Sequence, residues 1–146
     1  MQLPMPVRSL NSSVLKWPDQ TEADRAVRLW AAAETKQKTD IVRLGYFGSY
    51  ARGDWGVGSD LDLIAVVDET NLPFERRAVD WHLEHLPIPS EILIYTVDEW
   101  QHLLSKGSRF ARMLKSEVVW IYERTKSGVS RYSAGTRKSP MRSPTR

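Results

Sequence analysis

The chain has 146 residues, of which 27% are charged, and it contains no cysteine. This length is enough for one domain with a buried core, and the lack of cysteine excludes disulfides and thiolate-bound metals. Residues 1–6 form no apolar signal core, and no apolar run approaches the length of a membrane span. We therefore expect a cytoplasmic protein that has no membrane partner.

The net charge of +3 conceals an uneven distribution of basic residues. Residues 124–146 contain seven basic residues and no acid, so residues 1–123 carry −4, the difference between +3 and +7. The seven are Arg124, Lys126, Arg131, Arg137, Lys138, Arg142 and Arg146. Because the segment is also rich in Ser, Gly and Pro, we predict a disordered basic tail. It could be an electrostatic arm for nucleic acid or an acidic partner, or only a solubilising extension. Direct nucleic-acid binding is predicted only through this tail.

The hydrophobic pattern predicts an irregular leader at 1–18, a domain at 19–123 and the tail at 124–146. Within the domain, apolar residues at helical spacing predict a helix that begins near Thr21. The remaining predicted elements are strands at 41–47 and 61–67, a helix at 74–86, a strand at 91–96, helices at 98–105 and 110–116, and a strand at 118–122.

The segment from Phe47 to Leu63 contains two acids at alternate positions at the start of the second apolar run. Side chains alternate along a strand, so Asp60 and Asp62 project to the same face. Two neighbouring carboxylates raise each other's pKa unless a cation lies between them. Mg²⁺ takes oxygen ligands and is usually held by one or two carboxylates together with substrate phosphates. The pair therefore indicates a metal site for phosphoryl or nucleotidyl transfer.

A Gly-Ser turn precedes the two acids. Glycine lets backbone N–H groups approach an anion closely, and Ser49 adds a hydroxyl beside Gly48. Arg52 offers a guanidinium suited to phosphate oxygens. The alternative is an ordinary solvated loop, because Gly, Ser and Asp are common in turns. A P-loop is excluded, since Asp54-Trp55 stands where that motif requires Lys followed by Ser or Thr.

These residues resemble the signature of the DNA polymerase beta-like nucleotidyltransferase superfamily, in particular its minimal nucleotidyltransferase (MNT) branch. Gly48, Ser49, Asp60 and Asp62 fill the four defining positions, and the family's frequent Arg and Ser are present as Arg52 and Ser59. The resemblance covers residues 19–123. It implies an α+β nucleotidyltransferase fold, in which helices pack on a short mixed β-sheet.

The resemblance also implies a third carboxylate on a strand beside the one that carries Asp60 and Asp62. The best candidate is Glu91, although many family members have Asp at this position. The alternative for Glu91 is an exposed acid at the start of a strand, since charged residues are mostly exposed. The catalytic and metal-binding set implied is thus Asp60, Asp62 and Glu91, and the nucleotide-binding set is Gly48, Ser49, Arg52 and Ser59.

The activity implied by the resemblance is transfer of AMP from ATP to a hydroxyl group, with two Mg²⁺ ions. In the minimal branch the acceptor is typically a tyrosine of a HEPN-type ribonuclease toxin, which the MNT protein neutralises as an antitoxin. Two alternatives remain open. The chain could neutralise a partner by steric masking alone, or it could modify a small molecule or an RNA end.

Overall fold

The computed structural model describes residues 17–125 and 130–132, which form one sheet with helices on both faces. The helices are α1 (Gln20–Gln37), the single turn α2 (Ser49–Arg52), α3 (Val97–Lys106) and α4 (Arg109–Glu117). The strands are β1 (Ile41–Phe47), β2 (Leu61–Val67), β3 (Ser90–Thr96), β4 (Val119–Arg124) and β5 (Ser130–Tyr132). Two 3₁₀ helices, Phe74–Asp80 and Leu83–His85, lie between β2 and β3. Among the described residues, no helix combines the length and apolar character that crossing a membrane requires.

The five strands lie in the order β3-β2-β1-β4-β5. β2 and β3 are parallel, and every other neighbouring pair is antiparallel. The end of β1 therefore lies at the same edge of the sheet as the starts of β2, β3 and β4. The residues that directly follow β1 and those that directly precede β2, β3 and β4 therefore lie close together at this edge.

Alternation along β2 divides the core into two layers. Leu61, Leu63, Ala65 and Val67 pack in the layer that includes α1. Ile64 and Val66 pack on the other side with Trp100 of α3 and Leu114 of α4. Because β2 is buried on both faces, its sequence is an almost continuous apolar run. Asp62 has the same parity as Ile64 and Val66, so its side chain lies on the face that α3 and α4 cover.

The predicted α+β fold with a mixed sheet is confirmed, but the helix predicted at 74–86 is wrong. In its place are the two 3₁₀ helices, separated by Trp81 and His82. The backbone of Trp81 is extended (φ −100°, ψ 138°). Trp81 is buried against Trp30, with ring centroids 5.9 Å apart, and the Trp30 indole N–H donates to the His82 carbonyl at 3.0 Å. These contacts hold residues 81 and 82 against α1.

The prediction that the basic tail is disordered is wrong for Arg124 and for Ser130–Tyr132. Arg124 ends β4, and its guanidinium donates to both carboxylate oxygens of Asp68 at 2.8 Å. β5 pairs antiparallel with β4 and so covers backbone groups that an edge strand would leave unpaired. Residues 126–129 and 133–146 of the predicted tail, and residues 1–16 of the predicted leader, lie outside the described residues. Pro18 of the leader is tied to the domain, since its carbonyl accepts from the Tyr50 hydroxyl at 2.9 Å.

Candidate functional site

The candidate site lies at the edge of the sheet where β1 ends and β2, β3 and β4 begin. The turn after β1 carries Gly48 and Ser49, and the start of β2 carries Asp60 and Asp62. Glu91 lies in β3 directly opposite Asp62 in the parallel ladder. The fold thus brings residues separated by more than forty positions to one place.

The turn at Gly48 requires glycine for two reasons. Its φ of +82° with ψ of −156° is a conformation that side chains rarely adopt. A Cβ at this position would also lie 2.2 Å from Oδ2 of Asp62, far inside contact distance. The glycine therefore permits the backbone of the turn to touch the carboxylate of β2, which joins the two halves of the motif into one site.

Tyr50 anchors the single-turn helix α2 to the hydrophobic core. Tyr50 is fully buried, and its carbonyl accepts a hydrogen bond of 2.7 Å from the side-chain amide of Gln20 in α1. The Trp55 ring stacks on the Tyr50 ring with centroids 5.7 Å apart and planes 2° apart. The loop between α2 and β2 is thus packed on the core, and the stacking accounts for Trp55 without assigning it a ligand.

Asp62 lies in a negative environment. Burial raises the pKa of its carboxyl group above the ordinary value, and the negative charges of Glu91 and Asp60 raise it further. Arg52 lowers this pKa, whereas Glu117 again raises it. Asp60 and Glu91 are exposed, while Asp62 is half-buried. The four acids make a site in which a cation would relieve strong mutual repulsion.

Glu117 was missed by the sequence reasoning. It is the last residue of α4, and its Oε2 accepts a hydrogen bond of 2.7 Å from the Gly48 backbone N–H. Glu117 precedes a strand that runs antiparallel to β1, which places it at the turn that follows β1. The sequence alone does not reveal that β4 pairs with β1, and this pairing is the information that would have identified Glu117 as a site residue.

Arg52 and Ser59 bond within the protein. The Arg52 Nε donates to Asp54 Oδ2 at 3.1 Å, and its Nη1 donates to Glu117 Oε2 at 3.3 Å. These partners, Asp54 first, raise the pKa of the Arg52 guanidinium. The Ser59 hydroxyl accepts from the Gly56 N–H at 2.7 Å and so closes a turn just before Asp60. Arg52 lies at the turn and can reach an anion there, whereas Ser59 stabilises the loop.

The donor set fits a hard divalent cation in its chemistry. Asp60, Asp62 and Glu91 provide carboxylate oxygens, which are the ligands that Mg²⁺ prefers. As the side chains stand in residues 17–125, no three His, Cys, Asp or Glu residues form a group that could hold a metal ion. Asp60 and Glu91 are exposed, so their carboxylates are accessible to a cation from solvent.

Comparison with known families and structures agrees with this geometry. The model of the nucleotidyltransferase domain family matches residues 28–112, more than half of the chain. A comparison with curated proteins gives no match. Among solved structures, a protein of Sulfolobus solfataricus described as a nucleotidyltransferase superposes with a TM-score of 0.55 at 16% identity. The match covers 88% of this chain and 98% of that one, which shows a shared fold. The chain therefore belongs to the nucleotidyltransferase domain family.

Proposed function

We propose that the protein transfers AMP from ATP to a hydroxyl group of a partner protein in a reaction that depends on Mg²⁺. The observation that carries this proposal is the contact between the Gly48 turn and the Asp62 carboxylate. This contact supports a site in which backbone amides of the turn bind phosphate beside a carboxylate that binds metal. A metal-bound triphosphate requires hydrogen-bond donors for its phosphates and carboxylates for its metal, close enough for one nucleotide to contact both.

In this proposal Asp60, Asp62 and Glu91 would hold two Mg²⁺ ions. Bound there, the ions would neutralise charge on the leaving pyrophosphate and lower the pKa of the acceptor hydroxyl. The Gly48 N–H and the Ser49 hydroxyl orient the phosphates, and Arg52 offsets their charge. The chain's own contribution is positioning and electrostatic stabilisation, since the nucleotide and the acceptor supply the reacting atoms.

The acceptor that we propose is a tyrosine of a HEPN-type ribonuclease toxin, with the protein acting as its antitoxin. The support is the resemblance of Gly48, Ser49, Asp60 and Asp62 to the minimal branch of the superfamily. A second support is the exposure of Asp60 and Glu91 at the surface. An open site of this kind can receive a side chain of another protein.

The test uses the purified protein, a HEPN-type partner, Mg²⁺ and ATP. The expected result is a gain of one or more AMP units in the intact mass of the partner, localised to a tyrosine by peptide mapping. The double variant Asp60→Asn with Asp62→Asn should leave the mass of the partner unchanged and its ribonuclease active. If that variant still neutralises the partner, steric masking is the correct explanation. If mass is added to an RNA end or a small molecule instead, the proposed acceptor is wrong.

A further inference from the structure

Glu117 occupies the place that the proposed function assigns to a phosphate group. Its Oε2 accepts from the Gly48 N–H at 2.7 Å and from Arg52 Nη1 at 3.3 Å. These are the backbone donor and the guanidinium that a nucleotide phosphate would use. The Glu117 side chain is only 14% exposed, so its carboxylate lies inside the candidate site and not in solvent.

A carboxylate and a phosphate are both anionic hydrogen-bond acceptors, and both form charge-assisted hydrogen bonds with a backbone N–H or a guanidinium. The single Gly48 N–H cannot form a full-strength hydrogen bond with the Glu117 carboxylate and with a phosphate oxygen at the same time. Glu117 also adds a negative charge beside Asp62. A triphosphate that enters would therefore meet both an occupied donor and a repulsive charge.

Building on the proposed function, we propose that Glu117 is an internal competitor that must leave the Gly48 amide before nucleotide can bind. In the free protein the carboxylate satisfies a buried backbone N–H that would otherwise lack a partner. On binding, a phosphate oxygen replaces it and the Glu117 side chain turns toward solvent. Glu117 thereby determines how much nucleotide is needed to fill the site.

The position of Glu117 permits this movement. It ends α4, and the following residue Val118 is already extended (φ −63°, ψ 131°), so no helical turn lies beyond Glu117. Rotation about its side-chain bonds is enough to release Oε2, and α4 remains anchored by Leu114, which is fully buried. The match to the family model ends at residue 112, so Glu117 lies outside the matched segment.

The first experiment measures the Kd of α,β-methylene-ATP with Mg²⁺, an analogue that cannot transfer its nucleotide, by calorimetry. Glu117→Gln keeps the shape of the side chain but removes its charge, and we expect the Kd to fall about tenfold. The matched control is Glu69→Gln, which removes one exposed carboxylate beyond the opposite end of β2 and should leave the Kd unchanged.

An unchanged or higher Kd for Glu117→Gln would overturn the inference, because Glu117 would then organise the turn or bind metal rather than compete. If neither the wild type nor the variants bind the analogue, the proposed function itself fails. The two failures are therefore distinguishable.

A second measurement follows the amide resonance of Gly48 by NMR. In the free proteins, wild type and Glu117→Gln should differ at this amide, and with the analogue bound the two should coincide. A difference that persists in the bound state means that Glu117 stays on Gly48, and the inference is then wrong. Thermal unfolding of both proteins shows whether the variant is folded.

Discussion

Replacing Gly48 by alanine tests the contact on which the candidate site depends. The new Cβ would lie 2.2 Å from Asp62 Oδ2, and real Cβ atoms essentially never approach closer than 3.0 Å. The carboxylate or the turn must therefore move by at least ~0.8 Å. A displacement near 1 Å in a catalytic group can cost about 10²-fold in rate. We expect Gly48→Ala to lose about 100-fold in AMP transfer, and about 1–3 kcal/mol in stability from the strained backbone.

Two neighbouring glycines separate the steric effect from backbone strain. Gly58 also has a positive φ, +90°, but a Cβ there would meet nothing within 4 Å. Gly58→Ala should therefore cost about 1–2 kcal/mol in stability with little loss of activity. Gly56 has neither feature, and Gly56→Ala should change neither quantity. Transfer rates and urea unfolding of the three variants are the assay. Wild-type activity in Gly48→Ala, or an equal loss in Gly58→Ala, would refute the reasoning.

Three further substitutions test the charges of the molecule. Glu91→Gln should raise the Mg²⁺ concentration needed for half-maximal transfer about 10–100-fold, as measured by metal titration, and an unchanged titration would remove Glu91 from the metal site. Burial and neighbouring acids raise the pKa of Asp62 above 3.8, so its stabilising contribution is complete below pH 3.8 and is lost as pH rises through the folded pKa. Asp62→Asn should therefore be more stable than wild type at pH 7 without metal, equal to it in acid, and no longer favoured when Mg²⁺ is added, as measured by urea unfolding. Arg77 and the Thr96 cap lower the pKa of Glu99 to about 2, so its contribution is present above pH 4.5 and is lost as pH falls through about 2. Glu99→Gln should cost about 1 kcal/mol at neutral pH and nothing near pH 2; a cost that does not depend on pH would contradict this.

The elements that the sequence predicted well are those whose packing is visible in a local pattern. β1 and β2 begin and end at the predicted residues because each is a run of apolar side chains bounded by polar turns. The helix before β1 follows from its apolar stripe, and the structure shows in addition that Asp19 caps its N-terminus. In contrast, the region of Trp81 has apolar spacing suited to a helix, but its contact with Trp30 breaks it into two 3₁₀ helices. That contact depends on tertiary structure.

The candidate site divides in the same way. Asp60 and Asp62 share a face because side chains alternate along a strand, whereas Gly48 reaches Asp62 because β1 pairs antiparallel with β2. The position of Glu91 opposite Asp62 depends on the parallel pairing of β2 with β3, which only the resemblance implied. Glu117 comes from the end of a helix and reaches Gly48 only because β4 pairs with β1. No spacing pattern in the sequence predicts that Glu117 contacts Gly48.

The most direct test of metal-dependent nucleotidyl transfer compares ATP labelled at the α phosphate with ATP labelled at the γ phosphate. With Mg²⁺ and an acceptor protein, label from the α position should appear on the acceptor, label from the γ position should appear in released pyrophosphate, and both should vanish in the double variant Asp60→Asn with Asp62→Asn. Transfer of the γ label to the acceptor, or undiminished transfer of the α label by the double variant, would contradict the proposed function.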